Sequence, residues 1–187
     1  MPHLTKSPAK PDAAAQRVLR IAIAQTRVTS DVQANAVMIR AQMREAADQG
    51  AKLIQFTEGA VCGYLPGRAK EGSAEWSADW CALRDELEAI AALAAELRLW
   101  TVVGSSHPLT PPNRPHNSLY VISDRGALAG RYDKRLLSHN EVTRWYAPGD
   151  GALTFDVEGF RFGCALCIEI QFSELVVDYA HRGVDAV

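Results

Sequence analysis

The sequence lacks long apolar runs and any strong excess of one charge. A membrane-spanning helix needs about 20 consecutive apolar residues, and no run in the chain approaches that length; the N-terminus also lacks the apolar core of a secretory signal. The 22 acidic and 20 basic residues are interleaved, and the net charge is -2. This balance gives no electrostatic footprint for nucleic acid or an anionic membrane. We therefore expect a cytoplasmic protein whose partner is a small molecule or another copy of itself.

Cysteine is also scarce. The chain has four cysteines, at Cys62, Cys81, Cys164 and Cys167, and a disulfide framework would need an oxidising compartment. We expect free thiols. The last two form a C-x-x-C pattern, but no second such pattern and no histidine pair completes a zinc site. Residues three apart on a strand also point to opposite faces, so we expect neither a metal site nor a redox pair.

The remaining composition is that of one globular domain. The chain has 187 residues, of which 48% are hydrophobic and 22% charged, enough for a sizeable core. Residues 1–16 are a Pro/Ala/Lys tail with too few large apolar side chains to offset the entropy of ordering. We expect this tail to be disordered and the domain to span residues 17–187.

The hydrophobic pattern predicts strands that alternate with helices. Leu19–Ala24 and Lys52–Phe56 read as buried strands. The helix between them is expected to begin at a capping box formed by Ser30 and Gln33 and to end at Gly50. The result is a βαβ unit, which places both strands in one sheet.

The pattern of this unit returns near the end of the sequence. Residues 162–166, a predicted helix and residues 183–187 echo residues 20–24, a helix and residues 50–54. Two similar units indicate a two-layered sheet with helices outside. Between the two units we predict a helix with an apolar stripe from Leu83 to Leu97, followed by short strands. The helix of the second unit is expected to end at a Gly183 cap. The predicted strands are Trp100–Val103, Ser118–Ile122, Ala127–Tyr132, Leu153–Val157 and Phe160–Cys167, and the last helix is Ser173–Arg182.

Three passages each place a reactive side chain at the end of a predicted strand. They surround Glu58 in residues 56–64, Lys134 in residues 132–137 and Cys167 in residues 164–174. In this order and context they resemble the Glu, Lys and Cys motifs of the nitrilase superfamily, also called the carbon-nitrogen hydrolases. The resemblance runs from about residue 18 to residue 187, and residues 145–150 add a fourth similar passage.

The resemblance implies an α/β fold, an αββα sandwich, no cofactor and catalysis through a thioester. Cys167 would be the nucleophile, Glu58 the general base and Lys134 the cation that stabilises the oxyanion. The backbone N–H of Ile168 would assist at the oxyanion, and Glu141 matches a second family carboxylate. A thiol needs a base and positive charge nearby to react at neutral pH, and a fixed ammonium can meet the charge that develops on a carbonyl oxygen.

The residues around the nucleophile favour one branch of the family. True nitrilases typically have Trp directly after the nucleophile, whereas Ile168 and Glu169 follow Cys167 here. This difference favours an amidase or a carbamoyl-amide hydrolase. Ser173 stands where proline is frequent in the family, and Cys62 where a small or hydroxyl residue is frequent, which affects the substrate pocket. The resemblance also implies a homo-oligomer.

Simpler interpretations stay open beside the family one. A lone cysteine after an apolar strand is usually a small buried hydrophobic residue, and isolated charges are usually solvated. A cysteine can also pair with a histidine base, for which the candidates are His107, His116 and His139. These histidines lie in or beside predicted loops and show no Cys-His signature, so we rank this pairing below the family interpretation.

A rival hypothesis from another functional class concerns length. Family members usually continue beyond the position that matches Val187, so we expect the second half of the sandwich to be incomplete. Missing strands would leave sheet edges and core faces open to water and to other chains. The rival is therefore an inactive fragment that retains the three side chains, or one that another chain completes.

Overall fold

The computed structural model describes residues 17–64 and 79–187; the predicted tail of residues 1–16 lies outside them. Within these ranges no helix is both long enough and apolar enough to span a membrane. The helices are α1 (Val32–Asp48), α2 (Trp80–Leu97) and α3 (Ser173–His181), with a π-helical turn at Glu141–Trp145 and a 3-10 helix at Cys167–Gln171. The strands are β1 (Ile21–Ala24), β2 (Leu53–Phe56), β3 (Trp100–His107), β4 (His116–Ile122), β5 (Leu128–Asp133), β6 (Thr154–Val157) and β7 (Phe160–Gly163).

The strands form two sheets. The first has the order β1-β2-β3-β4-β5, with parallel pairs among β1, β2 and β3 and antiparallel pairs from β3 to β5. The second pairs β6 with β7 in antiparallel fashion. Because of these directions, the carboxyl ends of β2, β3 and β5 lie at one edge together with the start of β4. Side chains just beyond those strand ends are therefore brought together.

Each face of the five-stranded sheet packs into its own core. Neighbouring residues on a strand point to opposite faces, so Val102 and Val103 enter different cores, as do Val121 and Ile122. One core joins the sheet to α1 and α2, and the other joins it to β6 and β7. The second core includes stacked rings of Phe155 and Phe162.

Helix α3 covers the outer side of the second sheet. Its Tyr179 packs so closely on Gly163 that a Cβ added there would lie 2.6 Å from the ring. Phe162 forms a parallel bridge with Ala186 after α3, as β1 pairs in parallel with β2 after α1. The order of layers is helix, sheet, sheet, helix, which confirms the predicted αββα arrangement and the repeat of the βαβ unit.

The start of α1 differs from the prediction. The helix does not begin at a capping box of Ser30 and Gln33. It begins after Asp31, whose side chain accepts a hydrogen bond from the backbone N–H of Ala34 at 2.9 Å. Aspartate satisfies a free N–H of the first turn as well as serine does. The helix is present as predicted, but the capping box is wrong.

The end of β7 also differs, and this difference affects the nucleophile. The strand stops at Gly163 instead of Cys167, and the Tyr179 hydroxyl donates to the carbonyl of Cys164 at 2.5 Å. That carbonyl is thereby held by α3. Cys164 is buried and Cys167 exposed, so the two thiols do face different surroundings. The prediction that one continuous strand carries both cysteines is wrong, because β7 ends before them.

Candidate active site

The site lies at the shared edge of the first sheet, where Glu58 follows β2 and Lys134 follows β5. The turn that carries Glu58 approaches β3 closely at Gly104, where an added Cβ would lie 2.4 Å from the Thr57 carbonyl oxygen. Gly149 plays the same part behind the lysine, because an added Cβ would lie 2.3 Å from the carbonyl oxygen of Asp133. Two glycines therefore allow the backbone to bring both charged groups to one place.

Lys134 is the centre of a buried charged cluster. Its Nζ donates to Oε1 of Glu141 at 2.8 Å and to Oε1 of Glu58 at 3.2 Å. The lysine and Glu141 are each 1% exposed. Glu141 further accepts the Tyr64 hydroxyl at 3.0 Å and the backbone N–H of Ser138 at 2.8 Å. The structure thus brings together three of the four predicted side chains of the site.

The electrostatics keep this cluster ionised. Burial alone would lower the pKa of Lys134, but the hydrogen bond to Glu141 and the charges of both carboxylates outweigh burial and raise that pKa. Burial alone would raise the pKa of Glu141, yet hydrogen bonds from Lys134 and Ser138 hold it below its usual value. Burial and the neighbouring Glu141 raise the pKa of Tyr64, which stays neutral. At neutral pH Lys134 is therefore an ammonium and Glu141 a carboxylate.

Asn117 contacts the same cluster and was not predicted from the sequence. Its side-chain amide donates to Oε1 of Glu58 at 2.6 Å, and its carbonyl accepts the backbone N–H of Lys134 at 2.8 Å. The residue is 2% exposed. In the sequence Asn117 lies between two other polar residues, His116 and Ser118, at the start of β4, so no contrast with apolar neighbours singles it out.

Cys167 lies on a sharp turn and forms no hydrogen bond with the described residues of this cluster. It is the first residue of the 3-10 helix, is exposed, and has a backbone φ of +53°. A left-handed φ is strained for a residue other than glycine. Ile168 follows as the second residue, where N–H groups at the start of a helix lack partners within it. Its predicted place at the oxyanion stays a prediction.

A second buried carboxylate, Glu169, joins two segments. One is the turn at Cys167, here called the cysteine turn, and the other is the loop that follows Lys134, here called the lysine loop. Glu169 is fully buried and accepts the backbone N–H groups of Arg135 and Leu136 at 2.8 and 2.9 Å and that of Leu166 at 2.7 Å. Both its oxygens also lie 2.8 Å from the Tyr132 hydroxyl. The carboxylate therefore fixes the segment before Cys167 to the segment after Lys134. In the sequence, Glu169 only favoured an amidase over a nitrilase, and these backbone contacts were not predicted.

The structure does not place every predicted residue in one contact network. Among the described residues no hydrogen bond or ion pair joins Cys167 to Glu58 or Lys134. The cysteine borders an open cleft of about 680 Å³, whose lining also includes Gln55, Ile170 and Val176. The tie between the cysteine turn and the charged cluster is the backbone clamp at Glu169.

The histidines considered as alternative bases occupy other surroundings. His107 and His116 are the paired end residues of β3 and β4, so both lie beside the loop of residues 108–115. The ring nitrogens of His107 lie 2.7 Å from the Tyr120 hydroxyl and 2.6 Å from the Arg131 guanidinium. Burial and Arg131 lower the pKa of His107. Within residues 17–64 and 79–187, no histidine forms a hydrogen bond with Cys167.

Cys164 is the cysteine least suited to attack. Burial raises its pKa to about 12, and a thiol that stays protonated is a poor nucleophile. Cys62 is buried near Ser106, with 3.4 Å between sulfur and hydroxyl oxygen. The described part of the chain holds no group of three or more His, Cys, Asp or Glu side chains placed to hold a metal ion.

Comparisons with known proteins point to one family. The carbon-nitrogen hydrolase family model matches residues 20–187. Human omega-amidase NIT2 is 28% identical over 178 residues, which are 88% of this chain and 60% of that protein. The chloroplastic omega-amidase of Arabidopsis thaliana is 26% identical over 175 residues, 87% of this chain and 46% of that protein. The chain thus spans about 60% or less of the length of these two relatives.

Solved structures show the same fold. The crystal structure of an amidase from Nesterenkonia sp. superimposes with a TM-score of 0.76 at 23% identity, over 89% of this chain and 62% of that one. A variant of the Nesterenkonia sp. AN1 amidase, 25% identical with a TM-score of 0.75 over 89% of this chain and 64% of that one, carries the product of Michael addition of acrylamide at its active-site cysteine.

Proposed function

Because this chain belongs to the carbon-nitrogen hydrolase family, we propose that it hydrolyses a small amide or carbamoyl amide to an acid and ammonia or an amine. The single observation that carries the proposal is the buried ammonium of Lys134 between the carboxylates of Glu58 and Glu141. An ammonium held in place before the substrate arrives can stabilise an oxyanion without reorganising during the reaction.

The proposed reaction has two halves, and each returns its proton. Glu58 takes the thiol proton of Cys167, and the thiolate attacks the carbonyl carbon. Lys134 and the backbone N–H of Ile168 stabilise the oxygen anion, and protonated Glu58 gives its proton to the leaving nitrogen, so that a thioester remains. Glu58 then takes a proton from water, hydroxide cleaves the thioester, and the proton returns to the thiolate as the acid departs.

Glu141 has a supporting part in this proposal. Its hydrogen bond and charge help to keep Lys134 protonated and pointed at one place. A neutral lysine would offer no charge to the oxyanion. Glu141 therefore acts through Lys134, and its own oxygens are occupied by Tyr64 and Ser138.

The substrate class is part of the same proposal. The human and Arabidopsis relatives are named omega-amidases, and Ile168 in place of Trp after the nucleophile favours amides over nitriles. Turnover of nitriles without turnover of amides would contradict this choice. We extend the proposal to a cytoplasmic homo-oligomer that binds neither nucleic acid nor membrane; light scattering after gel filtration measures the assembly.

The first experiment is intact-protein mass spectrometry of wild type and Cys167→Ala after exposure to iodoacetamide or to a panel of small amides, with ammonia release measured in parallel. Rapid labelling that requires Cys167, together with ammonia release, is the expected result. Slow labelling of all four cysteines without turnover would instead support the inactive fragment. Cys81→Ser is the matched control, because Cys81 is the other exposed cysteine among the described residues.

A further inference from the structure

We infer that Asn117 is a positioning residue for the general base: its amide holds Oε1 of Glu58, so that the carboxylate exchanges protons through Oε2. The inference rests on the proposed function and adds a residue and an oxygen assignment to it. Asn117 lies on β4, whereas the predicted site residues follow β2, β5 and β7.

The hydrogen bonds of Glu58 are unequal. The Asn117 amide donates to Oε1 at 2.6 Å and the Lys134 ammonium donates to the same oxygen at 3.2 Å. Oε2 accepts no hydrogen bond from the described residues. A carboxylate oxygen with two donors on it is a weaker proton acceptor than its unoccupied partner, because each donor already shares its electron density. Oε2 is thus the oxygen available to a thiol or a water.

The backbone fixes the Asn117 side chain in this position. Asn117 pairs with Ser106 on β3. The next residue of β4, Ser118, pairs with Asp133 on β5. The Asn117 carbonyl accepts the N–H of Lys134 at 2.8 Å. One residue therefore holds the lysine through its backbone and the base through its side chain. Any displacement of β4 would move both groups together.

Asparagine suits this task because its amide is neutral at every pH. A second cation at Oε1 would compensate the carboxylate and weaken it as a base, whereas a carboxylate there would repel it. A donated hydrogen bond favours the ionised form moderately. Removing the donor should therefore make the ionised carboxylate less favourable and also release Oε1, so that Oε2 is no longer held ready to take the Cys167 proton.

The test uses two replacements of Asn117 and one control. Asn117→Leu removes the donor at similar size, and Asn117→Asp keeps the shape but replaces the donor by an oxygen. Ser118→Ala is the matched control, since Ser118 is buried on the same strand and loses one hydrogen bond, to Asp133 at 2.6 Å. For each, the rate of Cys167 labelling by iodoacetamide is followed against pH by peptide mapping, with kcat and KM for an amide and a thermal melt.

In each pH profile, the acidic limb is the range in which the labelling rate or kcat rises with pH. We expect this limb to move to higher pH, by about one pH unit in Asn117→Leu and by more in Asn117→Asp. At neutral pH kcat should fall roughly tenfold to a hundredfold, with KM little changed. Ser118→Ala should keep the wild-type limb. A merely structural Asn117 would instead give lower melting temperatures with an unmoved limb, and Asp, which matches its shape, would be tolerated better than Leu.

The two proposals fail differently. Wild type without amide turnover overturns the proposed function, whatever the Asn117 variants do. Labelling profiles in which Asn117→Leu and Asn117→Asp titrate as wild type does overturn the positioning role, even when amide turnover is intact. If one of the two Asn117 variants does not fold, the acidic limb of the other variant tests the positioning role. If Glu58→Gln leaves the wild-type limb unmoved, then the limb does not report the base and the inference fails.

Discussion

The charged cluster is buried and fully paired, whereas the cysteine turn is exposed. Lys134 and Glu141 are almost completely buried, and every charge has a partner within hydrogen-bond distance. Cys167 is exposed, has a left-handed backbone and has no such partner among the described residues. The charged cluster needs ion pairs and hydrogen bonds to stabilise its buried charges. The cysteine turn has to leave the sulfur of Cys167 accessible to substrate. Substitutions in the two regions should therefore separate activity from stability.

The largest expected effect is on activity, at the cysteine turn. Cys167→Gly should reduce amide turnover by roughly a thousandfold or more, yet raise the free energy of unfolding by about 1 kcal/mol, because glycine adopts a φ of +53° without strain. Cys167→Ala should lose the same activity without the gain in stability. Ammonia release and urea denaturation measure both. A Cys167→Gly variant less stable than Cys167→Ala would show that the turn is not strained.

The charged cluster should show the reverse balance, with a large cost in stability. Lys134→Met leaves Glu58 and Glu141 facing each other without a cation. Removing one partner of a buried ion pair costs about 3–5 kcal/mol in free energy of unfolding, and turnover should be lost with it. Lys52→Met, at an exposed position, is the control for loss of a lysine. A stability loss equal to that of the control would mean that water reaches the cluster freely.

Glu169 tests whether the two regions are separate. Glu169→Gln keeps the shape but replaces one acceptor oxygen by an NH2 group beside the backbone N–H groups of Arg135, Leu136 and Leu166. An unsatisfied buried donor costs about 1–3 kcal/mol, and we expect a loss in that range. Since the clamp joins the cysteine turn to the lysine loop, the variant should also label more slowly at Cys167. Lost stability with unchanged labelling would mean that the turn holds its position without Glu169.

The sequence predicted the layers and the charged side chains because both depend on local patterns. Runs of apolar residues predict that β3 and β4 are buried strands. Glu58 and Lys134 stand in motifs at strand ends that resemble those of the family. The contacts of Asn117 and Glu169 were not predicted, because they join residues far apart in sequence and depend on the register between strands. The end of β7 at Gly163 was missed for a similar reason: Tyr179 on α3 takes the Cys164 carbonyl, and no pattern near Cys164 indicates that partner.

The smallest effect concerns acid, and it separates the two carboxylates of the cluster. The pKa of Glu141 is held below its ordinary value, so its ionised form contributes stability above the ordinary glutamate range, near about pH 4.3. That contribution is lost as pH falls through the lowered pKa. Lys134 has a raised pKa, so its contribution is lost only as pH rises through that higher value.

The difference between wild type and Glu141→Gln isolates this contribution, because every other carboxylate is common to both proteins. Wild type should lose more stability between neutral and acid pH than Glu141→Gln does. The difference should be smaller than the effect of Lys134→Met. That substitution leaves two carboxylates without their cation, whereas acid only neutralises Glu141. Urea denaturation from pH 7 downwards measures it, and Cys167→Ala should follow the wild-type curve. Parallel curves for wild type and Glu141→Gln would mean that Glu58 alone holds the lysine, and that the second carboxylate stabilises neither the ammonium nor the fold.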